Sequence, residues 1–291
     1  MTGSAQWDAA LVGVLGLLIG SFLNVVIHRL PRMMQQQWQD ECHRYAIEQG
    51  LLPATAAPPA AQAFNLSRPR SHCPHCSHAL RWYENIPVLS YLALRGRCAG
   101  CHARISPRYP LVELATGLLF YAAALRWGIS ATAACWCIFA AILMALAWID
   151  WDTTLLPDDL TLPLLWAGLI AAALQYSGTP LLDSVAGAAA GYLSLWSVYW
   201  AFKLATGKEG MGYGDFKLFA ALGAWFGWQA LVPIILIASV CGAMVGIGMK
   251  LSRQLREGKY VPFGPFLALG GLCAMLWGPD RLLHGVLSLL G

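Results

Sequence analysis

Runs of apolar residues, separated by short polar stretches, follow one another along most of the chain. Most of them approach the length of about 20 residues that a helix needs to cross a bilayer. The eight runs cover residues 8–28, 110–127, 131–149, 160–177, 182–203, 217–230, 232–250 and 262–279. The sixth and seventh share one apolar stretch that is interrupted near Gly227 and Pro233, so their boundary is left open. The pattern predicts an all-α polytopic membrane protein with about eight transmembrane helices.

The first apolar run is either a cleaved secretory signal or a retained helix. A secretory signal begins with a basic segment, and no basic residue precedes this run. The apolar stretch also continues into Val25, Val26 and Ile27, and Arg29 follows it. We therefore expect residues 1–28 to form a retained first transmembrane helix.

Composition and charge agree with a membrane location. Hydrophobic residues make up 58% of the 291 residues and charged residues 12%, whereas a soluble protein carries about 25% charged residues. The mean hydropathy is +0.55. The formal net charge is only +4, so we expect no nucleic-acid partner.

The distribution of positive charge predicts an orientation in the bilayer. With the N-terminus outside, 17 of the 19 lysines and arginines fall in or beside the inside loops, and only Arg126 and Arg281 lie outside. Cytoplasmic loops of membrane proteins carry this excess of basic residues. The same orientation places five aspartates at the cytoplasmic face: Asp150, Asp152, Asp158, Asp159 and Asp215.

The stretch 29–109 is the only large polar piece, and we expect it to be a cytoplasmic loop between the first helix and a membrane domain at 110–291. It contains ten arginines, no lysine and four acidic residues. Residues 52–61 are rich in alanine and proline, which is typical of a flexible linker. Residues 35–49, before the linker, predict a short polar helix.

Four cysteines in this loop have the spacing of a metal site. Cys73 and Cys76 form one C-x2-C pair, and Cys98 and Cys101 form a second pair, with 21 residues between the two pairs. Two such pairs turn four thiolates toward one point, which is the arrangement of structural zinc sites. Cytosolic thiols stay reduced, which favours metal over disulfides. Free thiols or two local disulfides remain as alternatives; His75 and His102 could compete as ligands, but the four cysteines are complete without them.

Two aspartates lie where apolar runs meet the predicted cytoplasmic face. Asp150 ends the third run, and Asp215 precedes the sixth. Ionisable groups at membrane depth are costly and usually mark ion paths, ligand sites or catalysis. Two carboxylates that share one proton can hydrolyse a peptide bond, because the ionised one activates water while the protonated one polarises the carbonyl.

Other roles for these aspartates stay open on spacing alone. Asp215 could cap the N-terminus of its helix, and Asp158 or Asp159 is expected to cap the fourth helix. Spacing also does not decide whether Asp150, Asp152 or Asp158 is the partner of Asp215. Three nearby glycines give a backbone that a substrate strand can approach closely: Gly210, Gly212 and Gly214. A phosphate-binding loop is disfavoured, since no Lys-Ser/Thr pair follows them.

The chain closely resembles the prepilin leader peptidases, which process type IV pilins and type II secretion pseudopilins. Agreement extends over almost the whole chain outside the linker and the segment before it. Besides the cysteine pairs, it is carried by GSFLNVVIHRLP at 20–31, DWDTTLLPD at 150–158 and GKEGMGYGDFK at 207–217, with weaker agreement through PFGP at 262–265.

The resemblance implies a membrane aspartic protease of the Gly-x-Gly-Asp type. Its two catalytic aspartates fall on Asp150 and Asp215, and the supporting glycines on Gly212 and Gly214. The substrate would be a prepilin with a short basic leader inside and an apolar helix in the bilayer. Cleavage after a glycine would take place at the cytoplasmic face of the bacterial inner membrane.

Many members of this family also transfer a methyl group from S-adenosylmethionine to the new N-terminal residue. No alternation of strands and helices predicts the usual methyltransferase sandwich here, so methylation follows from the resemblance alone. On that basis we expect Glu84 and Gly96 to lie near the methyl-donor site.

Two other functions are considered. A presenilin-like protease of buried helices is disfavoured by the long loop and the N-terminal block. A transporter that uses Asp150 and Asp215 as a proton or cation site would move a solute and cleave nothing.

Overall fold

The computed structural model describes residues 3–53, 64–252 and 261–290, and in these ranges the chain is almost entirely helical, as predicted. The only β-type pairings there are two isolated bridges, His72 with Ala79 and Arg97 with Arg104. The α-helices are α1 (Gly3–Glu48), α2 (Leu89–Ala93), α3 (Arg108–Trp127), α4 (Ala131–Thr153), α5 (Asp158–Ala173), α6 (Leu181–Thr206), α7 (Tyr213–Phe226), α8 (Leu231–Leu251), α9 (Gly264–Trp277) and α10 (Pro279–Leu290).

Each of the eight predicted runs falls on one of these helices, α1 and α3 to α9, but fewer meet the requirements of a full span. Four stretches are long and apolar enough to cross a membrane: Ala5–Glu48, Ala131–Thr153, Leu181–Thr206 and Trp228–Leu251. The pair Gly264–Trp277 and Pro279–Gly285, bent by 108°, would make a fifth. Helices α5 and α7 have 16 and 14 residues. At about 1.5 Å per residue, both are shorter than the hydrocarbon core of about 30 Å.

Helix α1 is much longer than its apolar run. It continues through Pro31 to Glu48, so the short polar helix predicted at 35–49 is the C-terminal part of α1. The residues there are mostly good helix formers such as glutamine, methionine and glutamate, which explains the continuation. Most of the predicted linker at 52–61 lies outside the described residues.

The chain divides into two compact units. One comprises Leu17–Gly117 and contains the four paired cysteines. The other comprises the rest of the described chain and contains both Asp150 and Asp215.

Helix α7 is the centre of the larger unit. Nearly every side chain from Asp215 to Phe226 is buried, so this helix is enclosed by protein and not by lipid or water. Trp225 is 1% exposed, and its indole Nε1 donates a hydrogen bond to the Leu164 carbonyl at 2.9 Å. A helix enclosed on all sides is apolar all round, which explains why its sequence has no polar face.

Glycines allow α6 to approach α7 closely. A Cβ on Gly191 would lie 2.6 Å from the Phe219 carbonyl oxygen, and Gly187 and Gly223 face each other backbone to backbone. No other residue fits at such contacts without separating the helices.

The boundary between the sixth and seventh runs is a tight turn. Helix α7 ends at Phe226, Gly227 adopts a φ of +82°, and a 3₁₀ turn at Trp228–Ala230 leads into α8. Pro233 lies in the first turn of α8, where a missing N–H breaks no helical hydrogen bond. The final helix, α10, was not predicted because Asp280, Arg281 and His284 interrupt its apolar pattern.

We expect Gly223→Leu to destabilise the fold, because the added side chain would meet the backbone of Gly187 and Ala188. Overpacking of this kind costs about 1–3 kcal/mol or more. Thermal unfolding in detergent measures the effect. The matched control is Gly248→Leu on α8, since nothing lies within 4 Å of a Cβ at Gly248. Equal unfolding temperatures for the two variants would contradict the packing described here.

Candidate active site and cysteine module

Asp150 lies in the last turn of α4 and is only 4% exposed. The helix ends at Thr153, and Thr154 follows with a φ of +56°, which turns the chain away from the helical path. Asp150 is therefore held by a rigid helix one turn before its end.

Asp215 is the third residue of α7 and is 7% exposed. The structure corrects its expected position ahead of the helix, because α7 begins at Tyr213. Its Oδ2 accepts a hydrogen bond from the Gly212 N–H at 3.3 Å, so the carboxylate does cap the start of α7. Its other oxygen is free for a second role.

The two carboxylates are brought together by the ends of three helices. Asp150 lies against Gly264, and both Gly264 and Gly214, the residue before Asp215, lie against Leu156. Leu156 lies between Gly214 of α7 and Gly264 of α9. A Cβ on Gly214 would lie 2.6 Å from the Leu156 side chain, and a Cβ on Gly264 would lie 3.1 Å from it. Gly264 begins α9, and its Cβ would lie 2.5 Å from Asp150 Oδ2. Only glycine lets the start of α9 lie directly against this carboxylate.

One oxygen of each aspartate has no hydrogen-bond partner. Asp150 Oδ2 and Asp215 Oδ1 are the buried side-chain atoms left unpaired among the described residues. Unpaired buried polar atoms are rare, and a buried carboxylate without partners is costly. Two unpaired carboxylate oxygens at neighbouring helix ends could bind a proton, a water molecule or a polar substrate group.

The other acidic residues in this region have different surroundings. Asp158 accepts hydrogen bonds from Lys217 Nζ at 2.7 Å on each of its oxygens. The expectation that Asp158 or Asp159 caps α5 is wrong: Pro157 occupies the N-cap position, and no side chain bonds there. Asp152 is exposed.

The two motif glycines are required for different reasons. A Cβ on Gly214 would collide with Leu156, so this position must be glycine for the helix to approach the 154–157 turn. A Cβ on Gly212 would meet only Asp215 Oδ2, at an ordinary 3.7 Å. Gly212 contributes its backbone N–H to Asp215 instead.

The four paired cysteines converge as the spacing predicts. Their sulfur atoms all lie within 4.8 Å of one another. Cys73 Sγ is 3.8 Å from Cys101 Sγ, and Cys76 Sγ is 4.0 Å from Cys98 Sγ. A disulfide requires about 2.05 Å, so these are four thiols. Tetrahedral zinc with bonds of about 2.3 Å separates its sulfurs by about 3.8 Å, which is close to these two separations.

Both cysteine pairs adopt the same backbone turn. The Cys73 N–H donates to the His78 carbonyl and the Ser77 N–H to the Cys73 carbonyl, both at 2.9 Å. Cys98 and His102 repeat this pattern at 2.9 and 3.0 Å. Hydrogen bonds from the backbone of His75 and Cys76 lower the pKa of Cys73 to about 7, whereas the pKa of Cys76, which burial and the neighbouring thiols raise, is about 12.

Although Glu84 lies in a polar loop, its side chain is buried and not solvated. Its Oε2 accepts hydrogen bonds from the Arg81 N–H at 2.8 Å and from His78 Nε2 at 3.1 Å. The Arg81 N–H, the largest contributor, together with His78 keeps the pKa of Glu84 below its usual range. Through His78, Glu84 fixes the first cysteine turn.

Gly96 opens onto a cleft of about 570 Å³. Its φ of +67° is a left-handed conformation, and a Cβ would lie 3.0 Å from the Tyr91 ring. The cleft is also lined by Tyr91, Arg95, Arg97, Arg104 and Ser106, whereas Glu84 is not part of its wall. That Glu84 and Gly96 both lie near a methyl-donor site stays a prediction.

Comparison with known proteins decides the family. Residues 14–127 match the model of the bacterial peptidase A24 N-terminal domain, and residues 137–247 match that of the type IV leader peptidase family. A prepilin leader peptidase/N-methyltransferase of Stutzerimonas stutzeri is 55% identical over 91% of this chain and 89% of its own length. Proteins of that name from Aeromonas salmonicida (strain A449) and Pseudomonas aeruginosa are 54% and 51% identical, covering 96% of this chain and 94% and 93% of their own.

The chain belongs to the prepilin leader peptidase/N-methyltransferase family. The first matched segment contains the cysteine module, Glu84 and Gly96, and the second contains both Asp150 and Asp215. No solved structure shows a significant match. Nothing in these matches supports a transporter.

In this family member, two buried contacts, one of them at the aspartates, were not predicted from the sequence. The sequence showed Gly264 only as part of the segment 262–265 that resembles the family, although this residue lies against Asp150. Glu113 is buried in α3, and its Oε2 accepts the Val88 N–H at 2.8 Å, which holds Val88 at a φ of +59°. The position of Glu113, an acidic residue inside the apolar run 110–127, could have indicated that its side chain has a specific role.

Proposed function

We propose that this chain removes the short basic leader from type IV prepilins and type II secretion pseudopilins, and then methylates the new N-terminal residue. Membership of the prepilin leader peptidase/N-methyltransferase family supports both activities. The observation that carries the cleavage step is the pair of buried carboxylates, Asp150 and Asp215, each with one unpaired oxygen.

Cleavage proceeds through one proton shared by the two aspartates. The ionised carboxylate accepts a proton from water, and the resulting hydroxide adds to the scissile carbonyl carbon. The protonated carboxylate donates its proton to the carbonyl oxygen. The carboxyl that took a proton from water then gives it to the leaving nitrogen as the C–N bond breaks, and the other carboxylate takes a proton from the gem-diol, which becomes the new carboxyl group. The two carboxylates divide these roles because like charges held together do not both ionise readily.

We further propose that all eight apolar helices cross or enter the bilayer, with the N-terminus outside and the dyad at the cytoplasmic face of the inner membrane. The excess of lysine and arginine in the inside loops supports this orientation. The short helices α5 and α7 fit it because neighbouring helices enclose α7, so it needs no full lipid-facing length.

The four-cysteine cluster is assigned to a structural zinc ion held by Cys73, Cys76, Cys98 and Cys101. The sulfur separations of 3.8 and 4.0 Å support this. Four thiolates fill the tetrahedral coordination shell, so the ion contributes folding energy and no reaction chemistry.

The methyl donor, S-adenosylmethionine, is assigned to the cleft beside Gly96. A volume of about 570 Å³ is within the range of about 300–1,000 Å³ typical of small-molecule sites. Arginine side chains on its wall can bind the carboxylate of the donor. Glu84 supports this region indirectly, through the cysteine turn that precedes it.

Asp150→Asn and Asp215→Asn should each abolish leader cleavage, since either change removes a group that the shared proton requires. Mass spectrometry of a full-length prepilin incubated with the protein in lipid detects the loss. Zinc content and helicity should stay unchanged. The matched control is Asp152→Asn, which alters an exposed aspartate two residues away. Cleavage by Asp150→Asn together with an inactive Asp152→Asn would refute the proposed dyad.

Replacing Cys73 and Cys76 with serine should release the metal, because two of the four ligands are lost. We expect elemental analysis of protein purified under reducing conditions to fall from about one zinc per chain to near zero. Protease sensitivity should rise in residues 64–107 while α4 to α9 stay folded. Cys42→Ser, which changes an exposed cysteine on α1, is the control. Wild-type protein without zinc would remove the metal assignment.

Gly96→Ala should impair methyl transfer and leave leader cleavage within about twofold, because the new Cβ meets the Tyr91 ring in the wall of the cleft at a left-handed φ. The ratio of methylated to unmethylated product, read by mass, is the measurement. Gly50→Ala is the control: Gly50 also has a left-handed φ, of +71°, but nothing lies within 4 Å of its Cβ. Normal methylation by Gly96→Ala would exclude this cleft.

A further inference from the structure

We propose that Tyr199 is a positioning residue that fixes Asp215 by binding the chain on both sides of it. The inference rests on the proposed peptidase function. Tyr199 lies on α6, in none of the blocks that carry the family motifs.

The ring of Tyr199 packs on the two aromatic residues that flank Gly214 and Asp215. Its centroid is 5.3 Å from that of Tyr213 and 5.6 Å from that of Phe216, and the last two are 5.4 Å apart. Tyr199 is 3% exposed. Aromatic pairs at these separations attract one another beyond the area they bury, so the three rings form one rigid contact around the first turn of α7.

The hydroxyl of Tyr199 binds the segment that precedes this turn. It donates to Glu209 Oε1 at 3.3 Å and accepts a hydrogen bond from Lys203 Nζ at 3.1 Å. Lys203 Nζ also donates to the same Glu209 oxygen at 2.9 Å. This hydrogen bond keeps the pKa of Glu209 below its usual range. One tyrosine therefore connects Glu209, six residues before Asp215, with Tyr213 and Phe216 on either side of the aspartate.

The segment needs such a restraint because it is rich in glycine. Four glycines occur between α6 and Asp215: Gly207, Gly210, Gly212 and Gly214. Each loses more conformational freedom on folding than any other residue type. A catalytic group must be held within about 0.5 Å of its working position, and a misplacement of about 1 Å can cost about a hundredfold in rate.

The contact is suited to positioning and contributes little to stability. The Glu209 side chain is 71% exposed, and an exposed ion pair contributes only about 0–1 kcal/mol. Loss of the tyrosine hydroxyl should therefore change the geometry of Asp215 much more than the stability of the fold.

Tyr199→Phe tests this, because it keeps the ring and removes only the hydroxyl. We expect kcat for leader cleavage to fall by roughly tenfold or more, as displacement of a catalytic group does, with KM and the unfolding temperature unchanged. Methylation of a pilin that already lacks its leader should also be unchanged. The control is Tyr192→Phe: Tyr192 packs on Phe216 from the same helix at 5.9 Å, and its hydroxyl has no partner among the described residues.

A second arm tests the ion pair and guards against a variant that fails to fold. Glu209→Lys should lose cleavage as Tyr199→Phe does, and the double change Lys203→Glu with Glu209→Lys should restore most of it. Wild-type kcat in Tyr199→Phe, or parallel loss of cleavage, methylation and stability, would overturn the positioning role.

A third arm is independent of activity. Amide hydrogen exchange in residues 207–215 should be faster in Tyr199→Phe than in wild type and in Tyr192→Phe. If the wild-type protein cleaves no prepilin, the peptidase function fails, and the exchange rates still decide the role of Tyr199. Equal exchange in all three proteins would contradict it.

Discussion

Two carboxylates buried side by side oppose folding, since each loses its hydration and each repels the charge of the other. Asp150 and Asp215 are held in this way by elements that meet at one end of the larger unit. The last turn of α4 and the first turn of α7 supply the aspartates, and the start of α9 lies against Asp150 through Gly264. The pair depends on these helices keeping their positions, and hence on the enclosure of α7 and its glycine-lined contact with α6.

Glycine serves two opposite purposes in this arrangement. At Gly187, Gly191 and Gly223 it removes side chains so that two helices pack rigidly. Between α6 and Asp215, glycine lets Gly214 pack on Leu156 and Gly207 adopt a φ of +70°, but it also leaves this backbone freer to move. The aromatic contact around Tyr199 holds the glycines between α6 and Asp215 in place.

Much of this could be predicted from sequence, and the exceptions have physical causes. Apolar periodicity located eight helices, and the paired cysteine spacing located the four-sulfur cluster, because both signals are local. The end of α1 was misjudged since helix propensity continues after the apolar run stops. The expected cap of α5 is absent because Asp158 binds Lys217, which is 59 residues away. Gly264 and Tyr199 act through contacts between distant segments, which no spacing rule contains.

The shared proton is tested most directly by kcat/KM for leader cleavage, measured across a pH series with one prepilin in lipid. Cleavage requires one carboxylate ionised and the other protonated, so the rate should fall at both low and high pH. The two limbs would belong to the pair and not to either residue. A rate that rises with pH to a plateau, as a single general base gives, would contradict the dyad.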